Sequence, residues 1–252
     1  MALHRLAGIR IDIQEFGHGP PLLFLHGGGG FRGDERFLGP LSRGRRVVAP
    51  SHPGFGASEL PDWMDRPLDI AFVYLDLLDS IGHAEVDVVG CSFGGWIAAE
   101  LATMAPHRLR TLTLVGPLGI VDGDVPDMFA LPPERVEAML WANPEKFRRD
   151  PATLPEEEAK TAERNRQSFA RFARTPYFAN PKLAHRLRRA TCPALILRGL
   201  HDGLIPAAYA ERFAALLPDA RLASVPGAGH LPQIEQPEIF CEYVLSFLRG
   251  DV

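Results

Sequence analysis

The sequence predicts an α/β fold: a doubly wound, mostly parallel sheet with a helical cap inserted in it. Three observations carry this expectation. Short runs that are apolar almost throughout recur along the chain, at Leu22–Leu25, Val47–Ala49, Val86–Val89, Leu112–Val115 and Ala194–Leu197, as strands buried on both faces require. Helical stretches lie between them, at Leu68–Ile81, Trp96–Met104 and Ala207–Leu217. The stretch from about Pro117 to Ala190, by contrast, holds no convincing strand.

Taken in order, the chain opens on a hairpin. Leu3 to Ala7, a glycine at 8, and Ile9–Ile13 alternate apolar and polar residues at period 2, which marks antiparallel strands with one face covered. Gly17-His18-Gly19-Pro20-Pro21 is a turn cluster leading into the first fully apolar strand. A closing helix spans 234–248, with Ile234, Ile239, Phe240, Val244, Phe247 and Leu248 near helical spacing. In the strandless stretch, prolines such as Pro126, Pro132, Pro133, Pro144 and Pro155 cut the chain into short helices. One longer helix is expected over roughly 156–174, since Glu156, Glu157 and Glu158 at its start and Arg171 and Arg174 at its end complement a helix dipole. Residues 1–116 and 191–252 are then the core, and 117–190 a helical cap over the carboxyl ends of the strands, where open α/β sheets bind ligands.

A length of 252 residues suits one large domain with an insertion. The net charge of −4 gives no argument for nucleic acid, and no basic run is longer than Arg43-Gly44-Arg45-Arg46. No apolar window approaches membrane-spanning length and Met1–Arg5 leads into a strand with no leader-like apolar region, so neither membrane nor export is expected. The three cysteines, Cys91, Cys192 and Cys241, are odd in number and lack metal-ligand spacing. Reduced thiols in a cytoplasmic setting follow. Cys91 reads as a small buried apolar group.

The chemistry is announced by Gly90-Cys91-Ser92-Phe93-Gly94. This G-x-S-x-G follows an apolar strand and opens a helix. A turn that sharp pushes its central residue to positive φ and leaves no room for Cβ atoms two positions to either side, hence glycine at 90 and 94. The same turn lifts Ser92 Oγ above the sheet edge and aims helix N-terminal amides at charge developing there. Taken alone, the motif also fits a glycine-rich turn with an incidental serine.

Its companions decide. Serine at its ordinary pKa is a poor nucleophile and needs a base, itself oriented by a third group. His230, in Pro226-Gly227-Ala228-Gly229-His230, follows an apolar segment and precedes the last helix, and the small residues let an imidazole turn back over the sheet. Asp202 follows the 194–197 strand and is the orienting acid, with Asp122 and Asp124 as rivals from the loop after 112–115. His201 beside it makes only a superficial metal pair, so no metal is expected. His26-Gly27-Gly28-Gly29-Gly30 follows the first parallel strand. An amide of Gly28 (or Gly29) with that of Phe93 would hold an oxyanion, while His26 braces the loop. A phosphate cradle is the alternative for such glycines, but neither phosphate-binding spacing follows.

With these residues in view the chain resembles the α/β-hydrolase superfamily over nearly its whole length. The glycine loop at 26–30 resembles that family's oxyanion loop and 90–95 its nucleophile elbow. His52-Pro53-Gly54-Phe55-Gly56-Ala57-Ser58 matches the loop after its fourth strand, and Ser92, Asp202 and His230 fall in its Ser…Asp…His order. One departure is Ser51, where this loop often carries aspartate. The branches it is most similar to are serine-nucleophile and capped, the carboxylesterases and meta-cleavage-product hydrolases.

The resemblance implies a cofactor-free hydrolase of a small, apolar acyl compound, with a carboxylic ester as first expectation. A carbon–carbon bond hydrolase of ring-cleavage products, a lactonase or a thioesterase fits the same triad, as does a binding protein with a vestigial one. Substrate choice is expected from Gly29, Phe31 and Trp96 near the serine and from Met128, Trp141 and Phe172 in the cap, with Phe129, Leu131, Phe169, Tyr177 and Phe178 as further aromatic or apolar candidates that could equally be packing. The partner is a small molecule, and the oligomeric state stays open between monomer and homodimer.

Overall fold

A computed structural model describes residues 2–32, 35–121, 125–150, 153–173 and 177–251 of the chain. Eight strands form one sheet: β1 (Ala2–Leu6), β2 (Ile9–Phe16), β3 (Pro21–Leu25), β4 (Arg46–Pro50), β5 (Val86–Cys91), β6 (Leu109–Val115), β7 (Ala194–Gly199) and β8 (Ala220–Val225). Their order is β1-β2-β4-β3-β5-β6-β7-β8. The β1–β2 hairpin and the β2–β4 pair are antiparallel, and every later pairing is parallel. The hairpin turns on Ala7 and Gly8, both at positive φ, as a two-residue turn demands.

Both faces of β3, β5 and β7 are buried, which is why their sequences are largely apolar, whereas the edge strand β8 is mostly half-buried or exposed. Leu23, Leu25, Val86, Val88, Leu112, Leu114 and Ile196 point into one cluster, under α2 (Pro67–Ile81) and α3 (Phe93–Met104). Their alternates Leu22, Phe24, Val89, Cys91, Val115 and Leu197 point into another. There they meet α1 (Leu38–Leu41) and the carboxyl-terminal helix of the chain.

Between β6 and β7 the described residues hold helices and one isolated bridge, Gly119 to Ala179. The helices are α4 (Pro133–Leu140), α5 (Pro144–Phe147), α6 (Glu156–Ala173) and α7 (Leu183–Arg186). The expected long helix is α6, with Glu156, Glu157 and Glu158 in its first turn and Arg171 in its last; Arg174 lies outside the described residues. After β7 comes α8 (Ala207–Ala215), and after β8 the expected single closing helix is two: α9 (Pro232–Glu235) and α10 (Pro237–Arg249). Gln236 between them leaves helical geometry at ψ 60, because a residue before proline is driven out of the α region.

Among the described residues no helix is long and apolar enough to cross a membrane. The parallel strands bring Leu25, Cys91, Val115, Gly199 and Val225 to one edge of the sheet. The loops leaving that edge carry all the residues that the sequence singled out for chemistry.

Candidate active site

Ser92 sits between β5 and α3 at φ 51 and ψ −112, a conformation that costs a non-glycine residue on the order of 1–3 kcal/mol. The surroundings hold it there. Its N–H donates to Val115 O at 2.7 Å, and its carbonyl accepts from Trp96 N–H at 3.1 Å and Leu118 N–H at 3.3 Å. A Cβ on Gly90 would stand 2.5 Å from the Gly94 carbonyl oxygen, and one on Gly94 would run into the carbonyl oxygens of Leu25 and His26. Both glycines are therefore set by the closeness of other backbone.

The three strand-end residues meet. Ser92 Oγ lies 2.8 Å from His230 Nε2, and His230 Nδ1 lies 2.9 Å from Asp202 Oδ2. A carboxylate only accepts, so Nδ1 carries the proton and Nε2 is left to accept from the serine hydroxyl. The other Asp202 oxygen accepts from the N–H groups of Leu204 at 2.9 Å and Ile205 at 2.8 Å, which locks the carboxylate. Ser92 is 6% exposed and His230 2%, so the pair lies away from bulk water. Gly116 borders it: a Cβ there would stand 3.1 Å from His230 Nδ1 and 3.3 Å from Asp202 Oδ2. Asp122 and Asp124 lie outside the described residues.

The glycine loop leaves β3 directly above the serine. A Cβ on Gly27 would lie 3.5 Å from Ser92 Cβ, and one on Gly28 would enter the ring of Phe169 at 2.6 Å. Two buried histidines brace the loop from beneath. His52 N–H donates to His26 Nε2 at 3.0 Å, and His52 Nε2–H donates back to the His26 carbonyl at 2.9 Å. Tyr74 OH completes the chain at 2.7 Å from His52 Nδ1. Burial, opposed by the bond to the Gly27 carbonyl, lowers the His26 pKa to about 4. Burial and the neighbouring His26 hold His52 well below its ordinary value. Ser51, in the same loop, donates from Oγ to the Asp12 carboxylate of β2 at 3.4 Å.

The alpha/beta hydrolase family model matches residues 22–243. The chain belongs to the alpha/beta hydrolase family. It is similar to 2-hydroxymuconate semialdehyde hydrolase of Pseudomonas putida, 29% identical across 96% of this chain and 92% of that protein. A 2-hydroxy-6-oxononadienedioate/2-hydroxy-6-oxononatrienedioate hydrolase of Burkholderia vietnamiensis is 30% identical over 96% of this chain and 91% of its own. Among solved structures, the meta-cleavage product hydrolase of Pseudomonas fluorescens IP01 superposes with a TM-score of 0.81 at 21% identity, over 100% of this chain and 98% of that one.

The remaining candidates of this alpha/beta hydrolase divide into two groups. Gly29 and Phe31 stay with the glycine loop. The Gly29 carbonyl accepts from Asn165 Nδ2 of α6 at 3.0 Å, and the Phe31 ring packs 4.9 Å from that of His26. Trp141 stacks on Phe147 at 5.8 Å and under the Arg32 guanidinium at 5.2 Å, beside the His230 loop. Met128 is tied through its N–H to Tyr177 OH at 2.6 Å.

Trp96 and Phe172, by contrast, line a cavity of about 330 Å³ with Leu68, Glu100, Asn180 and Arg186, and neither Ser92 nor His230 is in its walls. Trp96 follows the elbow in sequence, but its indole N–H donates to Glu100 at 3.2 Å, one turn down the helix. Glu100 is itself buried, and burial raises its pKa. The ring that covers the glycine loop is Phe169, grouped with Phe93 at 5.3 Å, Phe178 at 5.2 Å and Phe129 at 5.6 Å. Three contributors escaped the sequence reading: the polar side chains of Asn165 and Glu235, and Gly116. Of these only Gly116, a glycine just past a strand end, had a signal to notice.

Proposed function

We propose that this hydrolase cleaves a small apolar acyl compound, in the first place a carboxylic ester, through an acyl-enzyme on Ser92. The observation that carries this is the unbroken line from Ser92 Oγ through His230 to Asp202, at 2.8 and 2.9 Å. Ser92 Oγ attacks the carbonyl carbon while His230 Nε2 takes its proton. The oxyanion is held by the amides of Phe93, at the start of α3, and Gly28. His230 returns the proton to the departing alkoxide, and a water deprotonated by the same imidazole then frees the acid and Ser92. Asp202 fixes the tautomer and steadies the imidazolium. Residues 117–190 act as the cap, and the Phe169 ring against the glycine loop, with Phe129 and Phe178 packed on it, favours an apolar acyl group. Cys91, Cys192 and Cys241, all free and buried, support a cytoplasmic setting.

A second reading keeps the triad and changes the bond: hydrolysis of a carbon–carbon bond in a ring-cleavage product. It is favoured by the 29% identity to 2-hydroxymuconate semialdehyde hydrolase over 96% of the chain. One panel separates the two. Purified protein is assayed against p-nitrophenyl esters of graded chain length, several lactones and vinylogous diketones. The ester reading expects the highest kcat/KM among the esters. A diketone turned over orders of magnitude faster than any ester replaces it with the second, and no turnover of any class contradicts both.

A further inference from the structure

Glu235 is a buried acid that takes no part in the proton relay, yet it touches the loop that carries the base. It ends α9, the single turn after His230, and is 5% exposed. One carboxylate oxygen accepts from Gly229 N–H at 2.5 Å. The other accepts from Ala142 N–H at 3.0 Å and Asn143 N–H at 3.1 Å, just past the end of α4. Those donors come from two segments far apart in sequence, and the N–H of Gly229, which is buried, would be left unpaired without it.

The seam it closes is dense. His230 N–H donates to Leu140 O at 2.8 Å and Gly203 N–H to Met139 O at 3.1 Å. The loops of base and acid are thus both sewn to residues 139–143 of the cap. Gly229 is glycine because a Cβ there would stand 2.6 Å from Leu140 O and 2.7 Å from Ala142 N. An amide could not replace the acid. Three N–H groups converge on two oxygens, whereas glutamine offers one oxygen and turns an NH₂ toward whichever segment it abandons.

We propose that Glu235 is a positioning residue that holds the His230 loop against residues 139–143, so that the cap and the base share one fixed geometry. It acts through His230 and touches no reacting atom. The inference rests on reading His230 as the base for Ser92.

The test compares wild type with Glu235→Gln, His230→Ala, Ser92→Ala and the double variant Glu235→Gln/His230→Ala. Each is measured for its fluorophosphonate labelling rate, for kcat and KM on p-nitrophenyl butyrate, and for thermal unfolding. Labelling of wild type but not Ser92→Ala upholds the underlying reading by itself; an unlabelled wild type removes that reading and this proposal with it. Glu235→Gln is expected to lower labelling rate and kcat roughly 10- to 100-fold, the cost of a misplaced base, with KM changed by less than about 3-fold. In the His230→Ala background the same change is expected to lower neither further, because residues acting through one another are not additive. Wild-type labelling in Glu235→Gln, or an equal loss in both backgrounds, overturns the proposal. If Glu235→Gln does not fold, Glu235→Asp keeps both oxygens one methylene short and is expected to show a smaller loss with the same dependence on His230; a loss independent of His230 is again contrary.

Discussion

Asn165, on α6, donates from Nδ2 to the carbonyl of Gly29 in the loop above Ser92, at 3.0 Å. Its Oδ1 accepts from Gly56 N–H at 2.9 Å, so one buried amide joins α6 to two loops leaving the strands. The glycine loop is flexible by composition, and its amides serve an oxyanion only if held still. Asn165→Leu, similar in shape, is expected to remove both bonds and leave the Gly56 N–H without this partner, costing about 1–3 kcal/mol of stability, and to lower kcat about 10-fold. Urea unfolding and esterase kinetics check the two effects. Unchanged kcat would show that the loop holds itself.

The elbow makes a sharper contrast within one site. A Cβ on Gly94 collides with the carbonyl oxygens of Leu25 and His26, whereas one on Gly29 meets nothing within 4 Å. Gly94→Ala is expected to cost more than about 3 kcal/mol and to abolish soluble expression, since backbone cannot move aside cheaply. Gly29→Ala should stay within about 1 kcal/mol of wild type. Soluble yield of Gly94→Ala and thermal unfolding of Gly29→Ala decide, and a soluble, stable Gly94→Ala protein would refute the strained elbow.

Asp202 uses both oxygens, one for His230 and one for the Leu204 and Ile205 amides. In Asp202→Asn the single amide oxygen stays with the two backbone donors and the NH₂ faces His230 Nδ1. The imidazole then takes the tautomer with Nε2 protonated, which cannot accept from serine. A kcat loss of about 10⁴ is expected with little change in KM. Near-normal turnover would transfer the role to Asp122 or Asp124.

Acid should destabilise the fold through His26 and His52. Both are buried and neutral, and burial lowers His26 from 6.5 to about 4 and holds His52 well below 6.5. Below pH 6.5 the unfolded chain takes up protons that the folded one refuses. Stability is therefore full above that pH and drains as pH falls toward 4, by on the order of 3 kcal/mol for His26 alone. Urea unfolding from pH 7.5 to 4.5 measures the slope. His26→Gln should be less stable throughout but show a shallower slope, and parallel curves would assign the loss to other groups.

How much of this was legible in the chain follows from where the constraint lies. Strands buried on both faces leave continuous apolar runs, so the sheet and its antiparallel start could be read directly. Ser92, Gly90 and Gly94 were legible because backbone geometry, local in sequence, dictates their identities. His230 and Asp202 were legible because they leave strand ends. Asn165 and Glu235 were not, since a helical Asn or Glu looks the same whether it faces water or a buried seam. The place of the Trp96 ring was not legible for a related reason: closeness in sequence to the elbow does not say which side of the helix the ring takes, and it points to Glu100. The break between α9 and α10 had its signal in Pro237, outweighed by the apolar spacing across it.

The most direct test of the central claim is covalent. Folded wild-type protein is treated with a fluorophosphonate, digested, and the modified residue located by mass spectrometry. The expected result is one modification, on Ser92, lost in Ser92→Ala and slowed by orders of magnitude in His230→Ala. An unmodified Ser92 in folded protein, or labelling as fast without His230, would contradict a serine made nucleophilic by its histidine.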